Sequence, residues 1–193
     1  RKAVLVPGDI QDSAHCRELV DRAVKELGGL DILVNNAAHQ ATFKSLDEIG
    51  DEEWEATFRT NIHAMFWLTR AAVPHMKKGS SIINTASINS DAPNPTLLPY
   101  ATTKGAIHNF TGGLAQILAK DGIRVNAVAP GPVWTPLIPS TMPPETVASF
   151  GSNAACTAMN MRTGTRARKN AVVKAAIFAL SPPPARRPVA IKG

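Results

Sequence analysis

Three residues stand at a spacing that can move a proton. Tyr100 and Lys104, in the run Tyr-Ala-Thr-Thr-Lys, are four positions apart and share a face if the segment is helical. Ser87 precedes Tyr100 by thirteen residues. A phenol with an ordinary pKa of about 10 is a poor acid or base at neutral pH, and a nearby ammonium favours the phenolate and lowers that value. Each tenfold gain in phenolate takes about 1.4 kcal/mol of differential interaction, which one or two close charges in a partly dry cleft supply. A serine hydroxyl beside the pair can hold a carbonyl or hydroxyl oxygen while the tyrosine transfers its proton. Ser90 is the alternative hydroxyl in the same loop.

Such a group needs rigid elements to hold it, and the chain reads as an alternation of strands and helices. The apolar run 3–6, stopped by Pro7-Gly8, predicts a buried strand and a turn. Asp12 is placed to cap a helix whose apolar positions Cys16, Leu19, Val20, Ala23, Val24 and Leu27 recur at spacings of three and four, and Gly28-Gly29 ends it. Residues 30–34 predict a second buried strand leading into Asn35-Asn36-Ala37-Ala38. Residues 51–76 read as one long amphipathic helix, ended or bent at Pro74. A strand over 81–84, a polar loop over 87–99, a helix over 100–120 closed by Asp121-Gly122, and a strand over 123–129 complete the series. This order predicts an α/β fold with a parallel sheet covered on both faces, and ligands in such folds sit beyond the carboxyl ends of the strands.

The constellation resembles the Ser, Tyr-x-x-x-Lys core of the short-chain dehydrogenase/reductase family. Asn35-Asn36-Ala37-Ala38 resembles that family's Asn-Asn-Ala-Gly, and Asn61, in Thr60-Asn61-Ile62, matches its helix asparagine. Pro130-Gly131-Pro132-Val133-Trp134-Thr135 resembles its Pro-Gly segment beside the nicotinamide, and Asp9-Ile10 resembles its Asp-hydrophobic pair beside the adenine. The resemblance covers residues 1–150 and implies a Rossmann-like, doubly wound parallel sheet. It implies an oxidoreductase that interconverts a small alcohol and its ketone or aldehyde, with NAD or NADP as cofactor. Tyr100 would be the acid/base, Ser87 the anchor of the substrate oxygen and Asn61 the holder of a relay water. Lys104 would hold the nicotinamide ribose and lower Tyr100. Asp9 and Ile10 would meet the adenine, Asn35 and Ala37 the adenosine and nicotinamide-side path, and Pro130, Gly131, Val133 and Thr135 the carboxamide end. The family also implies a homotetramer or dimer, paired through the helices over 51–76 and 100–120.

Two departures shape the expectation. No glycine-rich turn of the family's pyrophosphate-cradling kind is present, so the first βαβ elements are missing, the strand over 30–34 is left with an unpaired edge, and the choice between NAD and NADP is unreadable. The alternative to an enzyme is therefore an inactive truncated remnant that binds no cofactor. The second departure is the tail. Residues 1–150 hold 13 Lys and Arg against 15 Asp and Glu, whereas 151–193 hold 8 and none, so the overall charge of +6 belongs to the tail. A frameshift near Gly151 would produce such a segment, which reads as an atypical basic tail with one helix over 170–180. Its run Arg166-Ala167-Arg168-Lys169 carries no interleaved aromatics, so nucleic acid is not expected as a partner.

The remaining composition narrows the class. A chain of 193 residues with 44% hydrophobic and 19% charged residues forms one soluble domain rather than a disordered chain. Beginning at Arg rather than Met, it is expected to start inside a longer reading frame. Without a long apolar run, no membrane partner is expected and a cytoplasmic location is. Cys16 and Cys156 make no disulfide framework and read as ordinary buried thiols, and the five histidines show no ligand spacing, so no metal site is expected.

Overall fold

The computed structural model describes residues 2–150, 159–161 and 176–179. Helix α1 (Ser13–Leu27) starts where the Asp12 carboxylate accepts the Ala14 N–H at 2.8 Å, and ends at Gly28, whose left-handed φ of 80° lets its N–H reach the Val24 carbonyl. Strand β1 (Ile32–Asn35) follows. The long segment after it is helix α2 (Asp51–Phe58), a wide π-type turn (Arg59–His63) and helix α3 (Ala64–Ala72), continued by one 3-10 turn that contains Pro74. Then come β2 (Ser81–Thr85), α4 (Leu98–Leu118) and β3 (Arg124–Ala129). The proline-rich stretch past Gly131, expected to be irregular, contains two short helices, α5 (Leu137–Thr141) and α6 (Pro144–Ala148). Strands β4 (Met159–Met161) and β5 (Ala176–Ala179) are the described parts of the tail.

The sheet order is β4-β3-β2-β1-β5. Strands β5, β1, β2 and β3 run parallel, as an alternating βα chain requires, while β4 lies antiparallel on β3. In register, Leu33, Ile82 and Val125 lie side by side and are buried with Cys16, Leu19 and Val20 of α1 and Ala64 and Leu68 of α3. Burial alternates along the strands: Val34 and Ile83, on the opposite face, are only partly buried and Val128 is exposed. The core therefore lies mainly on one face, where near-complete burial of both was expected.

Three expectations are corrected. Residues 3–6 form no strand and Leu5 is 89% exposed, because a strand needs a ladder partner and the edge of β1 away from β2 is taken. That edge, expected to be unpaired, pairs with β5 from Ile32↔Ala176 to Asn35↔Ala179. The helix expected over 170–180 is thus a strand at 176–179; a four-residue apolar run fits either state, and the open edge decides it. Cys156 and the Arg166–Lys169 run lie outside the described residues. Among the described residues no helix is long and apolar enough to cross a membrane.

Candidate active site

The first two turns of α4 carry Tyr100 and Lys104. Pro99 in the first turn costs no hydrogen bond and starts the helix two residues ahead of the expected position, so Tyr100 and Lys104 lie one turn apart on it. Lys104 is 1% exposed. Its Nζ donates to the Thr85 carbonyl at 2.6 Å, at the carboxyl end of β2, and lies 5.2 Å from the centre of the Tyr100 ring. An ammonium has three hydrogens, so two are left for another acceptor. Burial lowers the Lys104 pKa from 10.5 to about 8. The Tyr100 phenol moves the other way: burial raises it, and the hydrogen bond with Ser87 draws it partly back. The lowered phenol expected from Lys104 is not what this geometry produces, because burial outweighs the Ser87 contact.

Ser87 caps the short turn after β2. Its Oγ accepts from the Asn89 amide N–H at 3.2 Å and from Asn89 Nδ2 at 3.3 Å, which holds the hydroxyl in place beside the phenol. Ser90 acts elsewhere, because its hydroxyl donates to the Lys104 carbonyl at 2.9 Å and ties the loop to α4. Of the two serines, Ser87 is the one in contact with the Tyr100 phenol, and Ser90 is bonded to the α4 backbone.

Asn61 sits in the π-type turn, where the Ala64 N–H reaches back to the Arg59 carbonyl and one extra residue is fitted into the helix. The amide is 2% exposed and spans two elements. Its Oδ1 accepts the His39 N–H at 2.7 Å, and its Nδ2 donates to the His39 carbonyl at 3.0 Å and to Thr103 Oγ1 at 2.9 Å. Thr103 in turn donates to the Tyr100 carbonyl at 2.7 Å. The π-type turn is thereby linked to the turn of α4 that bears the phenol.

Near these residues lies a cleft that narrows to a pocket of about 10 Å³, lined by Ile10, Asn35, Ala37, Asn61, Thr85 and Ile107; Ser87, Tyr100 and Lys104 do not line it. Asn35 donates to Asn84 Oδ1 at 2.9 Å and to Thr69 Oγ1 at 3.2 Å, and Asn84 donates on to Thr111 at 2.9 Å, so a buried polar chain crosses β1, β2 and α4. Asn35 Oδ1 itself is buried without a partner among the described residues. Asp9 is exposed and its carboxylate accepts the Gln11 N–H at 2.8 Å. Pro130 is fixed through its carbonyl, which accepts the Ile88 N–H at 3.1 Å. Val133 and Thr135 are exposed at the carboxyl end of β3, and they and Gly131 are not among the residues lining this cleft.

The residues present fit a dinucleotide at one end. The two spare Lys104 hydrogens, the Ser87 and Tyr100 hydroxyls and the orphaned Asn35 oxygen are a donor and acceptor set suited to a polar nicotinamide riboside. The pyrophosphate end has no counterpart among the described residues: the start of α1 is already capped by Asp12, with Asp9 beside it, and two carboxylates repel an anion. Among the described residues no group of His, Cys, Asp or Glu could hold a metal ion. Cys16, buried and bonded to the Ile10 carbonyl at 3.2 Å, has its pKa raised to about 11 by burial and the nearby Asp12 and Asp9, so it is an unreactive thiol. Thr85, Thr103 and Gln40 contribute contacts that sequence patterning does not single out; Thr85 acts through its backbone, which no side-chain signal reports.

Residues 1–145 match the family described as short chain dehydrogenase. General stress protein 39 of Bacillus subtilis (strain 168) is 56% identical over 152 residues, covering 79% of this chain and 53% of that protein. The NADPH-dependent aldehyde reductase 1, chloroplastic, of Arabidopsis thaliana is 49% identical over 152 residues, covering 79% and 53%. A short chain dehydrogenase from Burkholderia cenocepacia J2315 solved in complex with NADP superposes with a TM-score of 0.68 at 36% identity, covering 71% of this chain and 56% of that one. The chain thus spans about half the length of the proteins it resembles.

Proposed function

The chain belongs to the short-chain dehydrogenase family, and we propose that it interconverts a small alcohol and its ketone or aldehyde with NAD or NADP. The observation that carries this reading is the buried Lys104 ammonium, held by Thr85 beside Tyr100 while Ser87 contacts the phenol. In the direction of reduction, the Ser87 hydroxyl donates to the substrate oxygen and orients it, and Tyr100 passes its proton to that oxygen as the alcohol forms; oxidation runs the transfers backwards. Lys104 gives its two free hydrogens to the nicotinamide ribose, and its charge favours the phenolate, opposing the effect of burial. Asn61 holds a relay water. The bound nicotinamide supplies or receives the hydride. Asn35 and Ala37 line its path, Asp9 and Ile10 stand at the adenine, and Pro130, Gly131, Val133 and Thr135 at the carboxamide end. The similarity to an NADPH-dependent aldehyde reductase and to a structure containing NADP supports this cofactor class.

A homo-oligomer goes with the reading: Phe66 on α3 and Ile117 on α4 are 42% and 64% exposed, and a groove lined by Gly105, His108, Gly112 and Gly113 runs along α4. Light scattering after gel filtration measures it. A second reading, a remnant that binds no dinucleotide, draws on the capped start of α1 and the absence among the described residues of a phosphate cradle. Calorimetric titration with NADH and NADPH separates the two. Micromolar binding, with nicotinamide absorbance changing over a panel of alcohols and carbonyls, supports the enzyme; no binding by the purified chain supports the remnant.

A further inference from the structure

Residues 134–150 form a small unit that folds back on itself. Its ends meet through the Trp134 and Phe150 rings, edge-on at 6.0 Å between centres, and α5 and α6 lie between them. Most of its side chains are exposed, and Ile138, at 7% exposure, is the buried apolar one. A unit with so little apolar anchorage depends on directional contacts for its position. One crosses from the body of the fold over 101 residues of sequence: Gln40 Nε2 donates to Thr141 Oγ1 at 2.7 Å. The same hydroxyl donates to the Leu137 carbonyl at 2.7 Å, so its single hydrogen is committed and it meets Gln40 only as an acceptor. Gln40 is 5% exposed, so water competes poorly for this bond.

The preceding residue is pinned as firmly. The N–H and carbonyl of His39 are both taken by the Asn61 amide, and its imidazole Nε2 meets Glu53 Oε1 of α2 at 2.7 Å, an oxygen that also accepts from the Thr57 hydroxyl at 3.2 Å. Two consecutive residues therefore reach the π-type turn, α2 and α5, and a shift of either peptide plane moves the other.

We propose that His39-Gln40 is a positioning unit that fixes the 134–150 segment relative to Asn61, with Gln40 setting how tightly that segment, which carries Thr135, is held to the body of the fold. The link through Thr135 to the dinucleotide rests on the oxidoreductase reading above; the positioning itself does not.

Amide hydrogen exchange of the purified chain tests it without any turnover. Gln40→Leu and Thr141→Val each remove the bond from one side and raise exchange in peptides covering 137–142 by about fivefold to tenfold, the effect of one hydrogen bond. Thr141→Ser, which keeps the hydroxyl, exchanges like the parent, and the Gln40→Leu/Thr141→Val pair exchanges no faster than either single change. His39→Ala, which frees the unit from Glu53, also raises exchange in those peptides. With an active substrate, Gln40→Leu raises KM for the dinucleotide by a similar factor and changes kcat by less than about twofold. Exchange unchanged in Gln40→Leu and Thr141→Val, multiplicative effects in the pair, Thr141→Ser behaving as Thr141→Val, or no response to His39→Ala would each overturn the proposal. A parent chain without turnover removes the oxidoreductase reading and leaves the exchange result to decide the positioning.

Discussion

Lys104 is buried with a backbone carbonyl and, among the described residues, no carboxylate as its hydrogen-bond partner, and that arrangement has a cost visible in pH. Lowering its pKa from 10.5 to about 8 corresponds to roughly 3 kcal/mol against the charged, folded form. Below pH 8 both folded and unfolded chains hold the proton and the penalty is complete. Between 8 and 10.5 only the unfolded chain holds it, so stability rises with pH and the penalty fades. Lys104→Met removes the titration, and its stability relative to the parent, measured by urea unfolding, declines by up to about 3 kcal/mol across that window. A gap that stays constant with pH would show that Lys104 titrates normally. Tyr100→Phe keeps the ring and removes the proton; kcat for an active substrate falls by about 10²–10⁴ while the unfolding midpoint moves little, as read from paired kinetic and thermal assays. Equal turnover would exclude Tyr100 as the acid/base. Ser87, Tyr100, Lys104 and Asn61 are legible in the sequence because the chemistry proposed for them belongs to their side chains. The grip on Lys104 is not, since it comes from a carbonyl, and Gln40 is not, since its partner lies 101 residues away.

Helices and strands between residues 13 and 129 follow their patterns closely, because caps and apolar spacing are local signals. Asp12 and Gly28 bracket α1 where a capping carboxylate and a left-handed residue are needed. The π-type turn at Arg59–His63 is invisible in the pattern: one added residue leaves apolar positions on both sides at spacings of three and four, yet it decides how Asn61 is placed. Two glycines close helices with left-handed geometry and differ in their surroundings, which makes them a matched test. At Gly28, φ is 80° and an added Cβ meets nothing within 4 Å; at Gly122, φ is 66° and it would lie 2.7 Å from Lys78 Cγ. Gly28→Ala is expected to cost about 1 kcal/mol of unfolding free energy, from backbone strain alone. Gly122→Ala costs the same plus the shift that clears Lys78 Cγ, an atom next to the root of its side chain, so it loses clearly more than Gly28→Ala in chemical denaturation. An equal loss at the two positions would mean that Lys78 gives way freely.

At the scale of the whole molecule, the tail is the part where sequence and structure diverge most. Its run Ala-Ile-Phe-Ala suits a helix or a strand by composition, and local pattern has no access to the fact that β1, far earlier in the chain, offers an open parallel edge. The structure puts β5 on that edge and β4 on the outer edge of β3, so two pieces of a basic tail cover both sides of a sheet whose body is slightly acidic. A chain ending at residue 150 would lose both. It would expose the β1 ladder over Ile32–Asn35 and the β3 ladder over 127–129, rows of unpaired amides and carbonyls that pair readily with another chain. It would also change the formal charge from +6 to −2, weakening the repulsion that keeps copies apart. Both changes act in the same direction, so residues 1–150 alone are expected to unfold at a lower temperature and to self-associate with rising concentration, measured by calorimetry and light scattering. A midpoint equal to that of the full chain, with no added association, would show that the two edge strands contribute nothing to holding the sheet, and that β1, β2 and β3 with the helices packed on them are the stable body by themselves.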